Sequence, residues 1–459
     1  MRNYFILFAC LGIVGCGGGG DKGGQDAGAG AGQDMAGGTA SCMFPSSSTL
    51  DTQRQSCSFA AGSSALDTLG VNEASRAALP IKHVIVLMKE NRSYDHMFGQ
   101  LSVSTQPMSE PVPSTFANLD ATGMTVAPYH LPATCWPYDP HHQWDDMHAM
   151  VDGGKMDGFV TNAAANNDPY PPAGQTLPAS DGHFVMGYYT QTDLPFYYWL
   201  AGNFALADRY FASVQSGTWA NRDYLVAATS NGTKNTGTDP ALSGVPLIFD
   251  ELDTANVTWQ VYTNDFAPLE FSVNWTNRKP KGSVQDFFTA LSDGSLPQVA
   301  FIDATTSLTP PETDEHPPAD VQVGEAWTRQ LVAQLIASPL WASSVLFYTY
   351  DEAGGYADHV PPPSSCAPSP DQAEFTELGV RVPFVVISPY AKRSFVSHEQ
   401  HQHTSILRFI ELLYDVPALT ARDANSDALL DLFDFCSAPT AASAVGTLPA
   451  AGTGGCTSM

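Results

Sequence analysis

Basic residues are scarce in this sequence of 459 residues, which contains 20 Lys and Arg against 47 Asp and Glu and has a formal net charge of −27. Because so acidic a surface repels phosphate backbones, we expect no nucleic-acid partner. A Gly-X-Y period is also absent, which excludes a collagen-like chain. With 43% hydrophobic and 11% aromatic residues, the sequence is typical of a globular protein with a large buried core.

Long hydrophobic runs are absent except near the N-terminus, where Tyr4 to Val14 is apolar. This run is shorter than the roughly 20 residues that a membrane-spanning helix needs. It ends in Ile13-Val14-Gly15-Cys16, which resembles a bacterial lipoprotein signal. The resemblance implies a lipid on Cys16, an exported chain and a membrane anchor at the outer membrane or cell surface. The alternative is an ordinary secretory signal with an incidental cysteine.

Paired cysteine motifs of the CxxC type are absent, so the sequence does not predict a structural zinc site. An even number of cysteines in an exported protein predicts disulfides, here up to three with fifteen possible pairings. Apart from Cys10 and Cys16, the cysteines are Cys42, Cys57, Cys135, Cys366, Cys436 and Cys456.

Apolar runs that end in polar residues predict strands of a mostly parallel sheet. Helical patterns over 325–338 and 405–414 lie between or after these runs, which indicates an α/β fold with helices on both faces of the sheet. Open sheets of this type carry their chemistry at the carboxyl ends of the strands. The predicted strands are His83 to Met88, Gln298 to Ile302, Ser344 to Tyr350 and Val382 to Ser388.

The segment from Ile81 to Asp95, with Lys89-Glu90-Asn91-Arg92 at its centre, looks like the opening motif of the bacterial phosphoesterase family of phospholipases C and acid phosphatases. Lys89 stands where that family usually has Gln. The resemblance covers roughly residues 80 to 415 and implies an alkaline-phosphatase-like, three-layer α/β/α sandwich. Further matching segments follow in the family's order at 139–144, 154–159, 216–222, 314–318, 350–355, 358–360 and 381–383.

The resemblance implies a divalent cation, whether Ca, Mg, Mn or Zn. Carboxylate and amide oxygens are the hard ligands that such an ion needs. The alternative is that acidic residues at strand ends cap helices or face solvent. The implied ligands are Glu90, Asn91, Asp351 and Glu352, together with Thr218.

By the same resemblance, Thr218 is the nucleophile, and it forms a phosphothreonine intermediate. A threonine hydroxyl is a poor nucleophile near neutral pH, so it needs activation. Asn221 and Arg222 would contact phosphoryl oxygens or, alternatively, hold the turn. Histidines can bind phosphoryl oxygens or protonate the leaving group. We assign these roles to His142, His316 and His359, with His316 as the first choice for the acid.

The expected reaction is phospholipase C-like hydrolysis of a phospholipid or similar phosphodiester. Two alternatives remain, an acid phosphatase acting on monoesters and a non-catalytic surface lipoprotein. A sulfatase is disfavoured because no cysteine segment completes the C/S-x-P-x-R motif. An aromatic cluster could hold a choline head group by cation–π attraction or belong to the core; its members are Tyr188, Tyr189, Tyr197, Tyr198 and Trp199.

The sequence predicts a modular chain whose oligomeric state it leaves open. The catalytic domain is expected over residues 80–436. Before it we expect a signal peptide at 1–15, a Gly/Ala-rich tether at 16–40 and an N-terminal extension at 41–79. After it we expect a flexible tail at 437–459.

Overall fold

A seven-stranded sheet lies at the centre of the computed structural model, which describes residues 48–171, 176–237, 242–265, 281–307 and 309–455. The predicted signal peptide, tether and lipidation site Cys16 lie outside these residues. In chain order the strands are β1 His83–Lys89, β2 Ala205–Ala207, β3 Trp259–Tyr262, β4 Val299–Ile302, β5 Ser344–Tyr350, β6 Phe384–Ile387 and β7 Phe395–Ser397. The strand order across the sheet is β3-β4-β1-β5-β6-β2-β7.

The sheet is mostly parallel, as the sequence predicts. Strands β3, β4, β1 and β5 pair in parallel, whereas β6 is antiparallel to both of its neighbours. In the register of the central strands, Val86 of β1 lies between Phe301 and Phe347. The carboxyl ends of β1, β4 and β5 therefore meet at one edge of the sheet.

Helices cover both faces of the sheet and complete the predicted three-layer α/β/α sandwich. The helices are α1 Ser48–Gln55, α2 Ala65–Leu69, α3 Glu73–Ala77, α4 Tyr94–Phe98, α5 Trp144–Val151, α6 Phe159–Ala165, α7 Pro195–Asn203, α8 Thr218–Ala227, α9 Ile248–Thr254, α10 Val284–Asp293, α11 Val321–Ala337, α12 His403–Tyr414 and α13 Ala421–Ala424. Contacts between helices group α7 with α10 and α11, and group α12 with α2, α3, α8, α9 and α13. Among the residues described, no helix is both long and apolar enough to cross a membrane.

Within the described part of the chain, four small strand pairs lie outside the main sheet. One of them, Tyr138–Pro140 with Asn167–Pro169, leads directly into His142. The others are Asn118–Leu119 with Thr125–Val126, Tyr129–His130 with Gly187–Tyr188, and His401–Gln402 with Tyr210–Phe211.

The described residues on either side of the predicted catalytic domain pack against it. Ala65 and Val71 share a hydrophobic cluster with Leu412 of α12. A disulfide joins Cys57 to Cys366, with 5.5 Å between their Cα atoms, and Cys135 is also disulfide-bonded. Near the other end, the tail runs along α11, where the Gly452 amide donates to Glu325 Oε2 at 2.7 Å.

Candidate active site

Three carboxylates surround one guanidinium where β1, β4 and β5 end. Arg222, in the second turn of α8, donates to Glu90 Oε1 at 3.1 Å and to Asp303 Oδ1 at 2.9 Å. Its Nε donates to Asp351 Oδ2 at 3.1 Å. Burial raises the pKa of Glu90 and of Asp303, although the guanidinium opposes the shift. The cluster therefore has an excess of negative charge that a further cation would neutralise.

Two buried oxygen atoms in this cluster have no hydrogen-bond partner among the residues described. They are Asn91 Oδ1 and Glu352 Oε1, one after β1 and one after β5. Burial raises the pKa of Glu352 to about 8, against the attraction of nearby His142. Because an unsatisfied buried oxygen is costly, these two atoms fit the ligand set of a hard divalent cation.

Backbone contacts with the loop after β5 hold the turn at Asn91. Asn91 has φ +65°, and its N–H donates to Asp351 Oδ1 at 3.3 Å. Gly354 packs so closely that a β-carbon on it would lie 2.5 Å from the Asn91 carbonyl oxygen. These contacts hold the loops after β1 and β5 against each other, with all four predicted ligand side chains from these loops at one sheet edge.

Thr218 is the first residue of α8, and its side chain is half-buried. Among the residues described, no hydrogen bond joins its hydroxyl to another group. The preceding turn is held by Asn221, whose Oδ1 accepts from the Val214 amide at 3.0 Å and whose Nδ2 donates to Ser216 O at 2.8 Å. Of the two roles that the sequence left open for Asn221, these contacts favour holding the turn.

His142 and His316 lie beside the carboxylate cluster, with their ring centres 6.5 Å apart. His142 Nδ1 lies 2.6 Å from Pro140 O, and its Nε2 lies 3.5 Å from Glu352 Oε1. His316 Nε2 lies 3.6 Å from Asp139 Oδ2, and its side chain is 30% exposed. Burial lowers the pKa of His316, but Asp139 and Glu90 outweigh this effect and raise it to about 9.

His359 belongs to a neighbouring group of charged residues. Its Nδ1 lies 2.7 Å from Asp95 Oδ2. Arg381 donates to Asp95 at 2.9 Å and to Asp358 at 2.9 Å, so a guanidinium already compensates these carboxylates. Among the residues described, no hydrogen bond or ion pair joins His359 to the cluster around Arg222.

In the described ranges, two groups of three side chains have ligand-type atoms that all lie within 4.8 Å of one another. The first group is Asp95, Asp358 and His359, and the second is His401, Asp427 and Asp431. In the second, His401 Nδ1 lies 2.7 Å from Asp427 Oδ1, and the two carboxylates raise the pKa of His401 although burial lowers it. Each group therefore has its own basic side chain, which hydrogen-bonds to a carboxylate of that group, whereas Asn91 Oδ1 and Glu352 Oε1 accept no hydrogen bond among the residues described.

Several residues of the site were missed by the sequence assignment. Asp303 follows β4 just as Asp351 follows β5. Because open α/β sheets carry their chemistry at the carboxyl ends of their strands, this position already indicated Asp303. Asp139 lies in the matching segment 139–144, but nothing in the sequence predicts its contact with His316. His403 Nε2 lies 2.7 Å from the Asp351 carbonyl oxygen, and burial lowers its pKa to about 4. Only the fold brings this histidine, 52 residues further along the chain, to the site.

The aromatic cluster belongs largely to the core. Tyr189, Tyr197 and Tyr198 are at most 1% exposed, so these three rings are not available to a head group. Tyr188 and Trp199 are half-buried.

Comparison with known proteins gives matches over most of the chain. The model of the phosphoesterase family matches residues 81–417. Phospholipase C B of Mycobacterium tuberculosis is 30% identical over 429 residues, which covers 78% of each chain. Non-specific phospholipase C3 of Arabidopsis thaliana is 30% identical over 388 residues, which covers 76% of this chain and 72% of that protein.

Among solved structures, a lipoteichoic acid synthase from Listeria monocytogenes matches with a TM-score of 0.38 at 10% identity, covering 76% of this chain and 77% of that one. The family match, in contrast, spans well over half of the sequence and includes every residue of the cluster around Arg222, together with Thr218, His142, His316 and His359. The chain therefore belongs to the phosphoesterase family and is a hydrolase that acts on phosphoric esters.

Proposed function

We propose that this chain is a metal-dependent, phospholipase C-like enzyme that cleaves a phospholipid or a similar phosphodiester through a threonine nucleophile. The phospholipase C names of its relatives support the substrate class. The observation that carries the proposal is the electron-rich sheet edge, where Asn91 Oδ1 and Glu352 Oε1 are buried without hydrogen-bond partners among the described residues. An anionic substrate requires a cation at such an edge.

A divalent cation at this edge would neutralise phosphoryl charge and favour ionisation of the Thr218 hydroxyl. Its proposed ligands are Glu90, Asn91, Asp351, Glu352 and Thr218. Arg222 holds the carboxylates of Glu90 and Asp351 in place from the side of α8.

In the proposed reaction, the Thr218 hydroxyl loses its proton to solvent, Thr218 Oγ1 forms a bond to phosphorus, and the bond from phosphorus to the leaving alcohol breaks. His316, whose raised pKa keeps it protonated near neutrality, gives its proton to the departing alkoxide. Water then hydrolyses the phosphothreonine, which restores the Thr218 hydroxyl. His142 and His359 are proposed to donate hydrogen bonds to non-bridging oxygens.

The decisive experiment compares hydrolysis of p-nitrophenyl phosphorylcholine and p-nitrophenyl phosphate by the full chain in detergent. The protein is first chelated and then resupplied with Ca, Mg, Mn or Zn singly. We expect metal-dependent preference for the choline diester. Preference for the monoester would make the protein a phosphatase, and no activity with any metal would support the non-catalytic alternative.

Thr218→Ala is the matched variant for this experiment. It removes one hydroxyl that makes no hydrogen bond to the described residues, so the fold should remain intact. We expect turnover to be lost with a normal melting curve. More than a few per cent of wild-type activity would assign the nucleophile elsewhere.

The proposal also includes a lipid-anchored position in the bacterial cell envelope, based on the signal-like sequence before Cys16. One acyl chain gives only marginal membrane binding, whereas two or more give stable anchoring. We expect Cys16→Ser to shift the protein from the membrane fraction to the soluble exported fraction. An unchanged distribution between the fractions would contradict lipidation.

A further inference from the structure

A buried carboxylate lies directly beside the proposed proton donor in the chain. Glu315 is wholly buried, and its carboxylate accepts hydrogen bonds from Lys89 Nζ and from the hydroxyl groups of Tyr197 and Tyr350. Because all four residues are wholly buried, the carboxylate does not face a substrate. Its partners are instead supplied by β1, α7 and β5, three elements of the scaffold.

The ammonium group of Lys89 makes all of its hydrogen bonds inside this buried cluster. An ammonium group has three N–H donors. Those of Lys89 reach Glu315 Oε1, Tyr197 Oη at 3.0 Å and Thr328 Oγ1 at 3.3 Å. Lys89, although next to Glu90 in the sequence, therefore binds partners in the protein interior and does not contact a phosphoryl group.

The backbone at Glu315 is left-handed, with φ +77°. A residue with a β-carbon rarely adopts this conformation unless surrounding contacts impose it. Here the buried carboxylate is held on one side, and the Glu315 carbonyl oxygen accepts from Arg92 Nε at 3.0 Å on the other. The contacts of Glu315 thus impose the turn.

The turn at Glu315 fixes the positions of its two neighbours, Asp314 and His316. The Asp314 carbonyl oxygen accepts from the Glu90 amide at 3.0 Å, which ties the turn to the end of β1. The His316 amide donates to Asp314 Oδ1 at 3.2 Å, and the imidazole then faces Asp139. The direction of the His316 side chain depends on the conformation at Glu315.

Helix α11 leaves no room for the carboxylate to move. A β-carbon on Gly324 would lie 2.3 Å from Glu315 Oε1 and 2.6 Å from Lys89 Nζ. Glycine is therefore the residue that permits this packing, and the pair is confined between α11 and the sheet.

We propose that Glu315 is a positioning residue: anchored by Lys89, Tyr197 and Tyr350, it holds the left-handed turn that directs His316 toward Asp139 at the edge of the sheet. The part of this inference that concerns catalysis rests on the proposed function, in which His316 protonates the leaving group. The part that concerns the placement of His316 does not.

Glu315→Gln tests both parts. The amide keeps the size of the side chain but cannot accept from all three donors, and it leaves Lys89 without a counter-charge. We expect kcat to fall by about 10²-fold for a phosphodiester with an alkyl leaving group and to change little for the p-nitrophenyl ester, which leaves without a proton. His316→Asn should show the same selectivity, and combining the two changes should cost no more than His316→Asn alone.

An NMR titration of the His316 imidazole measures its placement without turnover. In Glu315→Gln we expect the pKa of His316 to move down toward its ordinary value of about 6.5, because the ring leaves Asp139. If the wild-type protein hydrolyses neither ester, the proposed function fails, and the titration still decides whether Glu315 positions His316. An unmoved titration together with equal losses for both esters would overturn the inference.

Glu325→Gln is the matched control. Glu325 is another buried carboxylate near this site, and it accepts from the Phe196 amide at 2.7 Å; among the residues described, no hydrogen bond joins it to the 314–316 turn. We expect it to lower the melting temperature and to leave the ratio of the two kcat values unchanged.

The double variant Lys89→Gln/Glu315→Gln provides a second test in case the single change does not fold. It leaves no lone charge buried, so the penalty for an unpaired charge is avoided. We expect the same selective loss for the alkyl ester, since the carboxylate anchor is still missing. A wild-type ratio of the two kcat values in this variant would overturn the inference as well.

Discussion

His316 is the proposed acid for the leaving group, and its neighbours favour the protonated imidazole. Its pKa is raised to about 9 by Asp139 and Glu90 in spite of burial, so its proton is present through neutral pH and is lost as the pH rises through that value. For an alkyl phosphodiester we therefore expect kcat to fall above about pH 9. His316→Asn should lower kcat by about 10²-fold and remove this alkaline limb.

His130→Asn is the control for that pH profile. His130 is a half-exposed histidine whose Nε2 lies 2.8 Å from Asp193 Oδ2, and it belongs to none of the groups described above. Its replacement should leave the profile unchanged. An alkaline limb that persists in His316→Asn would mean that another group donates the proton.

At the residue scale, the sequence predicted which residues belong to the site better than it predicted which residues they contact. The matching segment 216–222 predicted Arg222 as a site residue. Its three carboxylate partners, however, each follow a strand and lie 81 to 132 residues away along the chain. Asp303 has the same position after its strand as Asp351, yet no motif marked it. A motif records residue type and local spacing, whereas long-range contacts depend on the order of strands in the sheet.

At the scale of elements, the loops after β1 and β5 depend on a glycine. Gly354 has φ +61°, and a β-carbon there would lie 2.5 Å from Asn91 O and 2.7 Å from Asn91 Cβ. We expect Gly354→Ala to displace Asn91 and thereby weaken cation binding by tenfold or more, a change of about 1.4 kcal/mol or larger. Isothermal titration of the chelated protein with the activating metal measures the change.

Gly232→Ala separates this steric effect from the cost of the left-handed backbone. Gly232 has φ +87°, but a β-carbon there meets nothing within 4 Å. Both variants bear the conformational penalty, so both should lose some stability. Only Gly354→Ala should lose affinity for the metal. Equal affinities in the two variants would show that the loop contact does not organise the ligands.

The elements that the sequence predicted best are the long, strongly apolar ones. Strand β5 was predicted with the bounds that the structure gives, and α12 begins only two residues before the predicted helix. Strands β2, β3 and β7 were not predicted because each has only three or four residues, too few for a periodicity to be recognised. Their place in the sheet is set by neighbours such as β6, with which β2 pairs, and not by their own sequence.

At the scale of the whole molecule, the net charge of −27 should act on substrate capture. An acidic protein repels the dianion p-nitrophenyl phosphate, and salt screens this repulsion as the Debye length falls from about 30 Å at 0.01 M to about 8 Å at 0.15 M. We expect kcat/KM for the monoester to rise with KCl over this range. The zwitterionic p-nitrophenyl phosphorylcholine should respond little, and a parallel response of the two esters would contradict this account.

The packing of residues 440–455 has a practical consequence for anyone who shortens the protein. Gly452 and Gly454 donate their amides to Glu325 and Gln322 of α11, and Trp341 Nε1 donates to Thr440 O at 2.9 Å. A shortened version that stops near Cys436, where sequence composition suggests a natural end, would remove the Gly452 donor from the buried Glu325 carboxylate, the Gly454 donor from Gln322 and the Thr440 acceptor from Trp341. Crystallisation and fusion designs should therefore retain the chain through Gly455 and attach any tag beyond it.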